Sequence, residues 1–420
     1  MALARRWLDE PLLRNSAIYL AGSVGAGALG YVFHFASGRL LGPAGYGVVA
    51  SAVSSLYLLS LPGLVLQIVA TRFTSLAAGR GELGDVRPLI IRLGGLGLAV
   101  GLPLALALAL LAPVFAAYLR IGDVRIVYLL AVTTAVSLVL AVNRGALQGL
   151  SRFLALSVNL VLDLGTRVVM AVGLVLLGGG VLAAVLAVLL GPLLAYLHSF
   201  LLLLRVQGAH AAEVAGAAEV GRYAMSAAVA AIGVTFLFNA DVILAKHYLP
   251  SGQAGLYAAG SVLGRVVYFL GTTVAAVMFP EVAALHARDE RHFHVVDMSL
   301  VLLAALAAAL IAAYVILPQV VLLPFGTGFG PVRPYLVPFA VALSLLAMAN
   351  LLVNYFLSVN SRRFVIPLVL ACLLETGLIA SFHRDPAQIV DILLVSMGAL
   401  AAALGGMYAV ERFRPRPLGL

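Results

Sequence analysis

Several ionisable residues lie inside long apolar stretches of this sequence, where a charged side chain costs about 2.5–3.5 kcal/mol at the centre of a lipid bilayer. Asp163 and Arg167 are four residues apart and therefore share one face of a helix. Asp241, Arg265 and Glu375 each lie in a separate apolar stretch. Such residues usually face a polar cavity or a charged partner, so they are the first candidates for ligand binding or ion transfer.

Each candidate has a structural interpretation beside the functional one. Asp163 and Arg167 form either a local ion pair that packs a helix bundle or part of the charged lining of a cavity. Asp241 follows Asn239 near the predicted end of a helix. It is a helix-end residue, a proton or cation site, or the counter-charge of Arg265.

The remaining candidates also leave two interpretations open. Arg265 has no acidic residue within one helical turn, so its guanidinium favours an anion such as phosphate or a partner on another helix. Glu375 fits proton coupling and ion pairing equally well. Asn350 and Asn354 share a helix face, which indicates hydrogen bonds between helices and makes Asn354 a candidate lining residue.

Several chemistries have no support in the sequence. His286, His292 and His294 lie in a short charged segment that favours a solvated loop over a metal site. Cys372 is the only cysteine, which excludes an intrachain disulfide and a cysteine-based metal site. The sequence has no phosphate-binding loop and no His-Glu-x-x-His motif. We therefore expect no cofactor, no metal, no catalytic residue and no enzyme activity.

The elements that position these residues are apolar helices. Hydrophobic residues make up 63% of the 420 residues, charged residues 10%, and the mean hydropathy is +1.11. A soluble domain of this size needs a more polar surface, whereas about 20 apolar residues span a bilayer as a helix. The sequence predicts an all-α polytopic membrane protein with twelve segments, at about 15–37, 46–70, 88–113, 126–148, 154–178, 181–204, 220–245, 253–281, 297–323, 335–358, 364–381 and 388–410.

The arginines orient these segments. With both termini in the cytoplasm, eighteen Lys and Arg residues fall on the cytoplasmic side and six on the opposite side. This bias is the positive-inside signal, and it accounts for the net charge of +9 without any nucleic-acid partner. Both termini are therefore predicted to be cytoplasmic, which requires an even number of spans.

A weak internal repeat divides the chain. A shift of 208 residues aligns residues 41–51 with residues 249–259, and three positions coincide. Both stretches connect the first and second helices of a half. We predict two six-helix bundles, residues 1–208 and 209–420, related by a pseudo-two-fold axis along the membrane normal. Transporters of this type bind their substrate between the halves.

The first connection, Arg-Leu-Leu-Gly-Pro-Ala-Gly-Tyr-Gly at residues 39–47, is the most distinctive motif. Gly42-Pro43 breaks the helix, and Arg39 either caps the helix end or reaches a headgroup or phosphate. Together with three further motifs, it resembles the Wzx-like oligosaccharide flippases of the multidrug/oligosaccharidyl-lipid/polysaccharide transporter superfamily, a family of polysaccharide biosynthesis proteins. Those motifs lie at residues 148–153, 241–258 and 325–329.

The resemblance implies a flippase in a prokaryotic plasma membrane that moves a polyprenyl-pyrophosphate-linked glycan to the outer leaflet by alternating access. It implies H⁺ or Na⁺ coupling, with Asp241 and Glu375 as the candidate residues. Membrane lipid, a polysaccharide polymerase and glycosyltransferases are the expected partners. The candidate substrate contacts are Arg39, Asp163, Arg167, Arg265 and Asn354.

Two other functions remain open from the sequence. An excess of buried carboxylates would favour a multidrug-and-toxin-type exporter, whereas the charges inside the apolar segments here are both positive and negative. A membrane-embedded glycan polymerase would need a long catalytic loop, and the predicted loops are short.

Overall fold

The computed structural model describes residues 11–79, 86–204, 217–288 and 290–413, and these residues form helices without any β-strand. A bilayer imposes this architecture, because a helix satisfies its backbone hydrogen bonds within one segment. The helices are α1 (11–41), α2 (43–59), α3 (Leu61–Gly79), α4 (Val86–Leu110), α5 (Ala112–Tyr118), α6 (Arg125–Gly149), α7 (Phe153–Leu174), α8 (Gly180–Leu204), α9 (Ala217–Tyr248), α10 (Ser251–Ala287), α11 (Phe293–Ile316), α12 (Pro318–Leu322), α13 (Leu336–Ser358), α14 (Val365–Ser381) and α15 (Pro386–Phe413).

The chain reverses direction at Gly42, where the sequence predicts a break. Gly42 has φ 67° and ψ 177°, a conformation that a side chain disfavours, and Pro43 then starts α2. The hydroxyl of Tyr46 lies 3.1 Å from Nδ1 of His34, twelve residues earlier. A straight helix would separate these residues by about 18 Å along its axis. The contact therefore requires α2 to fold back on α1.

The described residues contain ten helical stretches that are long and apolar enough to cross a membrane. Two of them are divided, at Gly42 and at the glycine turn of residues 178–180. Helices α2 and α3 are joined across Ser60, and α14 is a shorter apolar helix of 17 residues. Dividing these two stretches adds two segments, joining α2 to α3 removes one, and α14 adds one. The described part therefore holds twelve apolar segments, in agreement with the all-α fold that the sequence predicts.

The chain divides into two compact units, Met1–Ala228 and Val229–Leu420. The predicted boundary at 208/209 lies outside the described residues. Helix α10 continues to Ala287, six residues beyond its predicted end at Glu281.

Each unit packs around its fourth apolar segment. In the first unit α6 packs against α3, α4 and α8, while α7 packs against α1–α2 and α8. In the second unit α13 packs against α10, α11 and α15, and α14 packs against α15. Because α6 and α13 are surrounded by neighbours, polar groups on the helices around them can be held away from lipid.

Candidate functional site

A buried ion-pair cluster lies in the first unit, on α6 and α7. Asp163 is 1% exposed, and each of its carboxylate oxygens accepts a hydrogen bond from an arginine. Nη2 of Arg144 donates to Oδ2 over 2.8 Å, and Nε of Arg167 donates to Oδ1 over 2.8 Å. The predicted pair of Asp163 and Arg167 is therefore present, with a second arginine from another helix.

Asn159 extends this cluster to α8. Its Oδ1 accepts a hydrogen bond from Nε of Arg144 over 2.8 Å, and its Nδ2 donates to the carbonyl of Ala195 over 2.6 Å. Nδ1 of His198 lies 3.3 Å from the same Nδ2. Asn159 lies one turn before Asp163 on the same face of α7. Its contacts join polar groups of α6, α7 and α8 in one cluster.

The cluster has donors in excess. Two guanidinium groups share one carboxylate, which leaves one positive charge in the cluster. In the described residues Arg167 donates only through Nε, and Arg144 only through Nε and Nη2. Within the described contacts, Nη1 of Arg144 and both Nη atoms of Arg167 donate no hydrogen bond. Guanidinium groups with paired free donors match the geometry of phosphate oxygens.

A second polar cluster lies in the second unit, on α9 and α10. Asp241 is 2% exposed and lies about two turns before the end of α9, so it is not a helix cap. The hydroxyls of Tyr257 and Ser261 donate to its Oδ2 over 3.0 Å and 3.2 Å. Its Oδ1 lies 3.7 Å from Nη2 of Arg265. Tyr257, Ser261 and Arg265 are spaced four residues apart and face Asp241 from one side of α10.

Arg265 is held by the protein interior rather than by one carboxylate. Its Nη2 donates to the carbonyl of Phe238, and its Cζ lies 4.3 Å from the centroid of the Phe238 ring. Arg265 is 6% exposed. Of the two interpretations that the sequence leaves open, the structure places Arg265 in contacts between helices.

Glu375 is a buried ionisable group of the second unit. It lies on α14, is 0% exposed, and neither carboxylate oxygen has a hydrogen-bond partner in the described residues. Asp241 is near enough to interact with it electrostatically. Unlike Asp163, this buried carboxylate has no arginine bonded to it in the part of the chain that the structure describes.

The other candidates from the sequence are not part of either buried cluster. Arg39 lies exposed near the end of α1. The predicted interhelical hydrogen bonding of the two asparagines on α13 is not observed in the described contacts. Instead, Nδ2 of Asn354 donates to the carbonyl and side-chain oxygens of Asn350 on the same helix. Within the described residues no group of three or more His, Cys, Asp or Glu is arranged to hold a metal.

Several members of both clusters are not among the candidates from the sequence. Arg144 is one of the eighteen residues that the charge count assigns to the cytoplasmic side, but it lies inside α6 and pairs with Asp163. Because Arg144 lies only five residues before the end of α6, hydropathy does not distinguish a position in the helix from one in the loop. Asn159 was also missed, although its spacing from Asp163 gives a signal. The four-residue spacing of Tyr257, Ser261 and Arg265 is the corresponding signal on α10.

Solved structures with the same fold are membrane transporters. An inward-facing multidrug resistance MATE family transporter of the MOP superfamily has a TM-score of 0.76 and 12% identity, with 92% of this chain and 96% of that chain covered. The eukaryotic MATE transporter AtDTX14 has a TM-score of 0.66 and 17% identity, covering 96% and 97%. A MOP superfamily transporter from Pyrococcus furiosus, described with a binding pocket of reverse polarity, has a TM-score of 0.60 and 14% identity, covering 96% and 97%.

These similarities establish the fold, and the sequence establishes the family. Among curated proteins, none matches this sequence. The profile described as "Polysaccharide biosynthesis protein" matches residues 12–286, which is more than half of the chain. Family and fold together support a membrane transporter. The chain belongs to the polysaccharide biosynthesis protein family.

Proposed function

We propose that this protein is a flippase that moves polyprenyl-pyrophosphate-linked oligosaccharide units across the cytoplasmic membrane of a prokaryote. Family membership supports a role in polysaccharide synthesis, and the transporter fold supports movement of a substrate by alternating access. In this proposal both termini are cytoplasmic, and the glycan moves from the inner to the outer leaflet. Glycosyltransferases supply the substrate and a polymerase consumes it.

The observation that carries this proposal is the excess of guanidinium groups around Asp163. A pyrophosphate that enters apolar surroundings loses hydration, and fixed cations with free donors replace that hydration. Asp163 holds Arg144 and Arg167 in place without consuming all their donors. We assign the substrate phosphate to these two arginines, and Arg39, Arg265 and Asn354 stay predicted contacts at other steps of alternating access.

Coupling to an ion is assigned to the second unit. Asp241 and Glu375 are two buried carboxylates, and Arg265 is the ion partner of one of them. If both carboxylates are ionised, Arg265 balances the charge of one, and the other has no bonded counter-charge in the described residues. Uptake of a proton or cation by that carboxylate lowers the free-energy cost of burying it. No ATP-binding motif is present in the sequence, which leaves an ion gradient or consumption of the product as the energy source.

A cation-coupled multidrug exporter is the second candidate. The MATE transporters with this fold favour it, and so do the two buried carboxylates of the second unit. An organic cation would select buried carboxylates, whereas a pyrophosphate would select the arginines of the first unit. The two candidates therefore differ in which unit should govern substrate affinity.

The test is translocation of a polyprenyl-pyrophosphate oligosaccharide in vesicles containing the purified protein. A hydrogen bond to a charged group contributes about 1.5–3 kcal/mol, so Arg144→Ala or Arg167→Ala should weaken apparent affinity roughly 10- to 150-fold. Lysine at either position should give a partial loss, because it keeps the charge but not the fork. Arg39→Ala and Arg265→Ala test the two further arginines.

Arg291→Ala, which changes an exposed arginine before α11, is the matched control and should leave transport unchanged. Wild-type transport by all four cluster and contact variants, at equal protein level, would remove the phosphate assignment. Movement of organic cations without movement of the glycan lipid would establish the exporter instead.

A further inference from the structure

The environment of Glu375 is suited to a neutral carboxyl group. The residue is 0% exposed, and neither oxygen accepts a hydrogen bond within the described residues. An ionised carboxylate in such a place loses its hydration without replacement, which costs several kcal/mol even after the protein relaxes. A protonated carboxyl group loses far less, because it carries no net charge.

The titratable groups that face Glu375 are acidic rather than basic in the described residues. The described groups that interact electrostatically with Glu375 are Asp241 from α9, Tyr257 from α10 and Cys372 from α14 itself. Arg265 lies 3.7 Å from Asp241 and bonds to a backbone carbonyl. Helix α15 also packs on α14; its described acidic and basic residues, Asp391, Glu411 and Arg412, are exposed or paired, and the hydroxyl of its buried Tyr408 donates to Asp297.

In the described residues, Glu375 lacks the basic partners that the corresponding position of the first unit has. Asp163 is the eleventh residue of α7 and Glu375 is the eleventh residue of α14, and each helix is the fifth apolar segment of its half. The first unit supplies Arg144 and Arg167 to this position. On α13, the counterpart of α6, the polar residues at the level of Arg144 are Asn350 and Asn354, and they bond to each other.

We infer that Glu375 is the residue that binds the coupling ion, and that this ion is a proton. The inference rests on the ion coupling proposed above and narrows it to one residue and one ion. Asp241 keeps its hydroxyl and guanidinium partners and is a fixed charge that positions the site. Glu375 holds the proton while it is buried. It releases the proton to water as a carboxylate when transport exposes it, and a proton from the opposite side restores the neutral acid.

A proton fits this position better than a metal ion. A metal ion needs several oxygen ligands around it, and within the described residues no polar group is hydrogen-bonded to either carboxylate oxygen of Glu375. A carboxyl oxygen needs no other ligand to hold a proton. The length of α14 also suits exchange with water, since Glu375 lies six residues, or about 9 Å, from its end at Ser381.

Infrared difference spectroscopy of the purified wild-type protein in nanodiscs tests the inference without requiring transport. At neutral pH and without sodium, the wild type should show the carbonyl band of an undissociated carboxylic acid. Glu375→Gln should lack one such band and should fold normally, because glutamine imitates the neutral acid. Glu281→Gln makes the same change at an exposed site of α10 and should retain the wild-type band.

Two results would overturn the inference. Identical bands in the wild type and Glu375→Gln would show that Glu375 is ionised, and loss of the wild-type band on adding sodium at constant pH would assign sodium instead. In vesicles, Glu375→Gln should move substrate at a rate that no longer responds to a pH gradient. A wild type that shows the band but moves no glycan lipid would contradict the proposed function and leave the proton site intact.

Discussion

Asp163 and Asp241 are both buried, but their partners give them different properties. Asp163 is bonded by two guanidinium groups at 2.8 Å, whereas Asp241 is bonded by two hydroxyls with its arginine at 3.7 Å. The first arrangement is dominated by positive charge and by free N–H donors. The second is short of positive charge, particularly with Glu375 nearby. The residue types around each carboxylate therefore fit the two proposed roles, anion binding beside Asp163 and proton binding in the second unit.

At the residue scale, Asp163→Asn should destabilise the protein. The change leaves Arg144 and Arg167 partly buried beside each other without a counter-charge, and breaking a buried ion pair costs about 3–5 kcal/mol. We expect a clear drop in the thermal unfolding midpoint of the purified protein. Asp123→Asn breaks an ion pair of the same 2.8 Å length on the surface and should have a much smaller effect. Equal midpoints for the two variants would contradict a buried, structural role for Asp163.

At the scale of elements, the cluster depends on close contact between α7 and α8. A Cβ atom on Gly191 would lie 2.6 Å from the carbonyl oxygen of Asp163 and 2.6 Å from Cγ of Arg167. The carbonyl belongs to the helix backbone and cannot move aside. Glycine at this point of α8 therefore permits the distance at which Asn159 reaches the carbonyl of Ala195.

Gly191→Ala should consequently separate α7 from α8 and destabilise the protein by about 1–3 kcal/mol, the usual cost of overpacking. Substrate affinity should fall as well, because Arg167 lies at the contact. Gly94→Ala is a matched control in α4, where nothing lies within 4 Å of the added methyl group. It should be neutral or stabilise its helix by up to about 1 kcal/mol. Similar unfolding midpoints for both alanine variants would argue against the close contact.

At the scale of the whole molecule, each unit has its own polar cluster beside a buried fourth segment. In the first unit two arginines bond to one buried carboxylate, whereas in the second unit Asp241 has an arginine at 3.7 Å and Glu375 has no bonded partner in the described residues. In the proposed flippase, the two arginines beside Asp163 bind the substrate phosphate and Glu375 binds the proton. Variants of Arg144 or Arg167 should therefore affect substrate affinity, and variants of Glu375 should affect the response to a pH gradient.

The predicted topology can be tested with single cysteines, because Cys372 is the only native cysteine. In a Cys372→Ala background, Arg362→Cys should react with an impermeant thiol reagent only from the cytoplasmic side. Arg384→Cys should react only from the opposite side, because α14 separates the two positions. Labelling of both positions from the same side would contradict the twelve-span arrangement. Fusions near His210 would test the central connection, which lies outside the described residues.

The sequence by itself determined the helical fold and the local pairs. Apolar runs of this length allow only helices to span the bilayer, since lipid offers no hydrogen bonds to the backbone. Gly42-Pro43 specifies the first reversal through backbone conformation alone. The four-residue spacing of Asp163 and Arg167 specifies their ion pair, because both residues lie on one face of one helix.

Only the tertiary structure decided which helix faces meet. Arg144 pairs with Asp163 from nineteen residues away, and Tyr257 reaches Asp241 from another helix. Neither contact follows from spacing within one helix, because the rotation of each helix about its axis is set by packing. The same holds for the lack of a partner at Glu375. The sequence allows a partner for this residue, and only the packing of α14 shows that the described residues supply none.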